Sequence, residues 1–384
     1  MFGFKKNSIT KSEPALLQFD IGKAIPYALI IYVPWALAAL KNNTYKEENF
    51  ASHSMHWESI EMMQLLQAQG YNVHVADCTQ PLPNINWQQY QLIFDERNNI
   101  YDSPEVAGQK KIHYATGCHW LVQNLGELQR IEAFRQRYQL VIPPMRQVPP
   151  LLAEATADWV TYFGGPFQQQ SFSHPQKTLT LFQSCTFIPQ PAVKNIAKSN
   201  KQFLWLGSAG MLHKGLDVVL EAFKVLPQQH LHICTQMEAE PLFFQWFTTH
   251  FAGCENIHYH GWLNVPDAPF QAIANACIGT VCVSVSEGGA GATVQAMQFG
   301  CIPICNDVVD DATFLKPAGT GVRLAGKTPE ALKTALIDAI KLLDGFSDSE
   351  LQQMSTQSAA YAATHHSKAA YTASFKNALQ QIDA

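Results

Sequence analysis

Charge is scarce in this chain. Asp, Glu, Lys and Arg make up only 15% of its 384 residues, and the net charge is −5. A surface so thinly charged, and acidic on balance, excludes the basic footprint that nucleic-acid binding requires. Metal and disulfide patterns are missing too. The nine cysteines show no C-x-x-C or zinc spacing, and Cys234, Cys277, Cys282, Cys301 and Cys305 lie in apolar stretches. Buried, reduced thiols in a cytoplasmic protein are the expectation. There is no GxxxxGK[ST] and no GxGxxG, which argues against nucleotide hydrolases and dehydrogenases. No Asp-x-Asp follows an apolar strand, and no internal repeat or low-complexity tract is visible. The start, MFGFKKNSITKSEPALLQFDIG, has no apolar core after Lys5-Lys6 and so does not read as a secretory signal. The longest apolar stretch, Ala24 to Leu40, is shorter than the ~20 residues of a spanning helix and carries Pro26 and Pro34. Tyr27 to Val33, between those prolines, reads as the first buried strand of a parallel sheet. A membrane-associated segment is the alternative.

What the chain does have is apolar content, at 47%, and length enough for two domains of about 150–200 residues each. In the first half, strands and helices alternate. A helix is predicted over Trp57 to Gln69, then strands at Asn72 to Ala76, Gln91 to Phe94 and Lys111 to Ala115. A basic amphipathic helix around Gln129 to Tyr138 precedes a proline-rich loop at 143–150, and Ala157 to Phe163 is a further strand. Such alternation predicts an α/β, doubly wound domain. Pro189 and Pro191 before a polar stretch place the hinge near Ile188 to Lys201. The expected division is therefore 1–190 and 191–352, both Rossmann-like. A C-terminal helix over 353–384 follows.

Two segments of the second half carry chemistry. The first, FLWLGSAGMLHKGLDVVLEAF over 203–223, is an apolar strand, a loop with Gly207, Gly210 and Gly215, and an amphipathic helix with Leu216, Val219, Leu220 and Phe223 at core spacing. Lys214, at the end of that loop, suits a diphosphate, because an ammonium and backbone amides then face one anion. A solvated loop charge is the plainer reading. The second segment, TVCVSVSEGGAGATVQAMQFGCIPIC over 280–305, is an apolar run ending in Ser286-Glu287. The turn Gly288-Gly289-Ala290-Gly291 and a short helix stopped by Gly300 follow, and then another strand. A carboxylate and a glycine turn at a strand's end suit a ligand with both sugar hydroxyls and phosphate.

Together these segments, from Phe203 to Leu324, resemble the C-terminal half of GT-B glycosyltransferases, especially retaining family 4. There the order is strand, G-R-x-…-K-G, helix, and later S-x-x-E-G-F-G-…-E-A-M-A-x-G-x-P. The resemblance implies two Rossmann-like domains facing a cleft, with the last helix crossing back to the first. It assigns Lys214 to the donor diphosphate and Glu287 to a hydroxyl of the transferred sugar. Gly207 and Ser208 join the donor loop, and the Gly288-Gly289-Ala290-Gly291 amides line phosphate and sugar. Two departures stand out. The second glutamate, which grips the nucleotide ribose in the family, falls at Gln295. The arginine near the first glycine is replaced by Ser208, in a loop one residue longer.

Other candidates are less patterned. His119, after Thr116-Gly117-Cys118, is placed at a strand's C-terminal edge facing the cleft. The resemblance offers it a place near the reacting sugar as a catalytic histidine, against a capping or packing role. His53, His56, Trp57 and Glu58 lie where acceptor loops fall, and His53 and His56 have the spacing of a metal pair without a third ligand. Arg130, Arg135, Arg137 and Arg146 suit either an anionic acceptor or a solvated basic face. Trp262 suits stacking on the donor base or a place in a core or rim. The reading is a metal-independent hexosyltransferase that takes a nucleotide diphosphate sugar as donor substrate and needs no cofactor. Its acceptor is a glycan, a lipid-linked sugar or a small molecule, with peripheral contact at the inner membrane face left open. A catalytically silent nucleotide-sugar binding protein and a GT-B isomerase are the alternatives.

Overall fold

A computed structural model describes residues 16–189, 194–308 and 320–383. The reading of the extreme N-terminus and part of the expected hinge fall outside them. The first unit contains β1 (Leu17–Phe19), β2 (Tyr27–Tyr32), α1 (Trp35–Lys41), α2 (Met55–Ala68), β3 (Asn72–Asp77), β4 (Tyr90–Asp95), α3 (Asn99–Asp102) and β5 (Lys110–Tyr114). It continues with α4 (Trp120–Tyr138), β6 (Trp159–Phe163), α5 (Pro166–Ser171) and β7 (Thr178–Leu181). The second unit runs through α6 (Ile196–Ser199), β8 (Gln202–Leu206), α7 (Leu216–Lys224), β9 (His230–Cys234), α8 (Pro241–Phe251), β10 (Ile257–Tyr259) and α9 (Ala268–Ala276). After these come β11 (Gly279–Cys282), α10 (Gly291–Met297), β12 (Ile302–Asn306), β13 (Val322–Leu324), α11 (Pro329–Asp344) and α12 (Asp348–His365), before α13 (Lys368–Asp383).

The strands form two sheets, ordered β1-β3-β2-β4-β5-β6-β7 and β10-β9-β8-β11-β12-β13. All pairings are parallel except β1 on β3. This is the doubly wound pair expected. Its central strands are apolar throughout because helices cover both faces; in β2, Ala28 to Tyr32 are all buried. No helix among the described residues is long and apolar enough to cross a membrane. The Tyr27 strand is the second rather than the first. The short antiparallel edge before it has too few residues for its alternation to register in the sequence.

Two helices depart from the expected division. The C-terminal helix is broken at His366-Ser367, so that α12 stays with the second unit while α13 crosses to the first. There Tyr371, Phe375, Leu379 and Ile382 join the first sheet's core, and Tyr371 meets Tyr114 hydroxyl to hydroxyl at 3.0 Å. The basic helix begins at Trp120, earlier than the expected Gln129, and its C-terminal half serves the second unit. Phe134 and Ile142 belong to that unit's core, and the Phe134 ring lies 4.9 Å from that of Trp246. The arginines there are neither solvated nor available to an acceptor. Arg130 reaches Asp217 at 3.4 Å and Arg137 reaches it at 2.5 Å, with Arg137 also 2.5 Å from Glu221. Only Arg135 stays outside, paired with Glu132 one turn away.

At the far edge of the second sheet, strand alternation stacks four histidines on one face. His230 Nδ1 meets His258 Nε2 at 3.0 Å, and His232 Nδ1 meets His260 Nε2 at 2.9 Å. Burial, with the neighbouring rings adding to it, pushes His232 down to about 4. Burial likewise holds His366 near 4, and burial with Lys214 and Arg146 nearby holds His213 near 3. These groups stay neutral in the folded chain while the unfolded chain binds protons below the ordinary value of 6.5. Stability is therefore fully present above pH 6.5 and is lost as the pH falls toward 4. Each unit of depression is worth about 1.4 kcal/mol. We expect the thermal midpoint to drop by more than ~5 °C between pH 7 and pH 4.5. A flat midpoint across that window in a thermal-unfolding series would show that these rings are already charged in the fold.

Candidate functional site between the two sheets

The loop after β8 and the turn after β11 lie side by side at the C-terminal ends of adjacent parallel strands, where open α/β sheets bind ligands. Gly215, at φ +72°, starts α7; a Cβ there would sit 2.5 Å from the Val283 carbonyl oxygen. The two segments are stitched together. Val285 N–H donates to the His213 carbonyl at 2.9 Å, and the His213 ring meets the Ser286 carbonyl at 3.1 Å. Lys214 thereby arrives beside Glu287. Its Nζ donates to Glu287 Oε1 at 2.8 Å, and Ser284 Oγ donates to the same oxygen at 2.7 Å. Burial alone would raise the Glu287 pKa. The Lys214 charge and these hydrogen bonds outweigh it and hold the carboxyl near 2. Glu287 is thus a fixed carboxylate at neutral pH, an acceptor and not an acid.

The glycines do something the sequence reading did not anticipate. A Cβ on Gly288 would lie 2.2 Å from the Thr116 carbonyl oxygen, and one on Gly289 would lie 2.2 Å from Gln183 Cβ. Both glycines are needed because the first unit's Thr116-Gly117 turn and the segment after β7 press against this turn. Across the same seam Cys118 Sγ donates to the Glu287 carbonyl at 3.3 Å, and Gln168 Nε2 donates to it at 3.1 Å. Ala290 follows in the left-handed region at φ +48°, and Gly291 opens α10. In the other loop, Glu240 accepts from the Gly210 and Met211 N–H groups. Those amides are therefore already taken, and the free cradle expected around Lys214 is narrower. Gly207 packs under Trp205, with Lys214 Cδ 3.2 Å from its would-be Cβ. Half-buried Ser208 stands beside it.

Two expected site residues have other work. Gln295, only 3% exposed, turns its amide away to the segment leaving the first unit. Its Oε1 accepts from the N–H groups of Thr186 and Phe187, each at 3.1 Å, and its Nε2 donates to the Phe187 carbonyl at 2.6 Å. An amide fits there because that backbone offers both donors and an acceptor; the expected ribose ligand is a clasp on the connection between units. His119 caps α4. Its Nδ1 accepts from Leu121 N–H at 3.3 Å, and its Nε2 lies 3.5 Å from Glu154. Burial lowers its pKa, with Glu154 opposing. Both ring nitrogens are occupied, so the capping alternative describes it better than the catalytic one. Trp262 is 50% exposed on the rim, its Nε1 donating to Asn264 at 3.2 Å.

Among the acceptor-loop candidates, His53 is accessible, with its Nδ1 accepting from Met55 N–H at 3.2 Å. Glu58 is buried and takes the Tyr32 hydroxyl at 3.4 Å; burial pushes its carboxyl up to about 7. No group of three ligating side chains gathers among the described residues. His213, Ser284 and Glu240 were missed in the sequence. His213 adjoins Lys214 and was in principle visible, whereas Glu240 comes from another loop and left no local signal.

Comparison with known proteins fits this geometry. Residues 200–341 match the family described as Glycosyl transferases group 1. Among solved structures, sucrose-phosphate synthase from Thermosynechococcus elongatus aligns at 13% identity over 93% of this chain and 99% of its own, with a TM-score of 0.57. Anabaena HepE in complex with UDP and glucose aligns at 12% over 93% and 99%, with a TM-score of 0.57. WaaG, a glycosyltransferase involved in lipopolysaccharide biosynthesis, aligns at 14% over 92% and 98%, with a TM-score of 0.53. The chain spans about half the length of other structures that it matches. At these identities the likeness establishes the fold, that of GT-B glycosyltransferases. No curated protein matches.

The clasp changes what substitution at 295 should do. Gln295→Leu leaves two half-buried N–H groups and the half-buried Phe187 carbonyl without partners, at about 1 kcal/mol for each, the low end of the range for buried groups. We expect denaturant unfolding to report a loss of roughly 2–4 kcal/mol. Gln295→Glu should also destabilise, since it sets a carboxylate against the Phe187 carbonyl. If both variants unfold like the parent chain, the clasp contributes nothing.

Proposed function

We propose that this chain, a GT-B protein whose second unit is a group 1 glycosyltransferase domain, transfers a sugar from a nucleotide diphosphate sugar. The observation that carries the reading is the Lys214–Glu287 pair between the two glycine-bearing turns. A nucleotide sugar offers what each partner lacks, an anion for the ammonium and hydroxyls for the carboxylate. On binding, Lys214 exchanges Glu287 for the diphosphate, and Glu287 turns its free lone pairs to sugar hydroxyls. Transfer breaks the bond from the anomeric carbon to the β-phosphate oxygen and forms one to the acceptor oxygen, whose hydroxyl proton passes to the departing diphosphate. Negative charge grows on the departing diphosphate, and Lys214 is positioned to stabilise it without a metal ion. Retention of configuration rests on the family 4 pattern of the two motifs.

The acceptor, whether glycan, lipid-linked or small, enters from the first unit. The donor-binding roles of Gly207, Ser208 and the Gly288-Gly291 turn follow from their position around the pair. The reduced, buried thiols favour a cytoplasmic setting.

Lys214→Ala should weaken binding of nucleoside diphosphates by about tenfold or more, as expected for one charge-assisted contact. Glu287→Ala should instead cut turnover by about a hundredfold or more while sparing nucleoside diphosphate affinity, because it frees Lys214 from its partner. Titration calorimetry with UDP, GDP and ADP, beside turnover of the matching nucleotide sugars, separates the two effects. Equal losses of both kinds in Glu287→Ala would contradict the division of roles. Formation of a new nucleotide sugar in place of free nucleotide would instead indicate the isomerase.

Turnover should also survive excess EDTA. Loss of turnover on chelation, restored by Mg²⁺ or Mn²⁺, would overturn the assignment of charge stabilisation to Lys214.

A further inference from the structure

The donor loop is short of positive charge. Its one cation, Lys214, is already neutralised by Glu287 at 2.8 Å, and His213 beside it is held neutral. The loop has Ser208 where a second cation could stand, and Glu240 has taken two of its amides. A diphosphate arriving here brings about two negative charges or more. The second unit alone supplies little to meet them.

The missing cation comes from the other side. The proline-rich loop at 143–150 carries Arg146 over the Gly207–Gly215 loop, so closely that a Cβ on Gly210 would lie 2.5 Å from Arg146 Cγ and 3.0 Å from its Cδ. Arg146 Nε is buried without a hydrogen-bond partner, and its guanidinium makes no ion pair among the described residues. That is unusual for arginine, whose five donors normally find acceptors. Here the other arginines on the same face, Arg130 and Arg137, are fully engaged with Asp217 and Glu221. The placement is built in. Glu127, itself buried, accepts from the N–H groups of Met145 and Arg146 at 2.9 and 2.8 Å. Gln123 Nε2 donates to the Arg146 carbonyl at 2.6 Å, and Asn124 brackets Val148 from both sides. Three side chains of α4 thus fix the backbone of a loop whose arginine makes no ion pair among the described residues, although Glu240 lies near enough to feel its charge.

We propose that Arg146 is a ligand of the donor diphosphate, supplied across the cleft by the first unit to complete the site begun by Lys214. Burial first, and then the charges of Arg146 and Lys214, depress His53 of the first unit and His213 of the second. The geometry makes the anion site composite. Diphosphate binding and the approach of the two units then become one event, and a planar fork with paired donors suits two phosphate oxygens better than an ammonium would. The assignment rests on the donor-site reading above and goes beyond it.

The test compares UDP, GDP and ADP with the corresponding nucleosides by titration calorimetry. The proteins are the parent chain, Arg146→Gln, Arg146→Lys, Arg146→Met and Lys214→Ala. Arg146→Gln and Arg146→Met should weaken the preferred nucleoside diphosphate by tenfold or more, spare the nucleoside, and leave the thermal midpoint of the free protein within a few degrees. Arg146→Lys should recover part of the loss. Unchanged diphosphate affinity in the Arg146 variants, with Lys214→Ala still impaired, overturns the assignment and leaves the donor site standing. A raised KM for the acceptor with intact diphosphate binding makes Arg146 an acceptor residue and overturns it equally. Failure of the parent chain to bind any of the three diphosphates would sink the donor-site reading itself.

Discussion

Asp217 is the carboxylate on which the arrangement depends. It lies in the first turn of α7, is wholly buried, and takes Arg130 and Arg137 from α4 on its two oxygens. Near a helix N-terminus a carboxylate is favoured electrostatically, and each of its two oxygens meets an arginine. The same contact decides where α4 lies. From α4 hang the cap at His119, the Phe134 anchor in the second core and, through Glu127, the loop that carries Arg146. The loop that carries Lys214 ends at the start of α7. Loss of one partner from such a buried cluster costs about 3–5 kcal/mol because the remaining charge is stranded. Here it would also release the relative placement of two cations.

The site is drawn shut in this structure. The first unit's Thr116-Gly117 turn touches the Glu287-Gly288 backbone, and Lys214 and Glu287 satisfy each other. An ion pair of this kind holds Glu287 ionised and both side chains oriented. Under the proposed donor reading, a ligand that offers an anion and sugar hydroxyls together replaces the pair at least cost. An anion alone leaves Glu287 unpaired, and a neutral sugar leaves Lys214 so. On the proposed reading, the pairing favours a molecule that bears both.

Particular residues show how far the primary structure could be read. The β8 and β11 strands, the α7 amphipathic face, the Lys214 loop and the Glu287 turn were legible because each rests on local periodicity or on a motif whose parts lie close together in the chain; the contact between Lys214 and Glu287, 73 residues apart, came from the fold. The helix over 120–138 was only half visible, since its first turns carry little apolar periodicity and its arginines look like a solvent face. Gln295 was misread. An amide in the position of a ribose-binding carboxylate gives no local sign that its partners are the Thr186 and Phe187 backbone, more than a hundred residues earlier. The glycines were located correctly, yet their cause, contact with Thr116 and Gln183, lies in another unit.

By itself, then, the sequence determined an α/β chain with strands and helices alternating in two units, a lysine-bearing glycine loop before one helix and a carboxylate–glycine turn before another. These follow from hydrophobic period and turn chemistry, while the helix that crosses back came with the family resemblance. Only the tertiary structure decided which arginines are spent and which is free, and which polar side chains clasp backbone instead of ligand. The physical reason is that a charge or amide acquires its role from the desolvation and partners it meets after folding, and those partners come from segments with no fixed spacing in the chain.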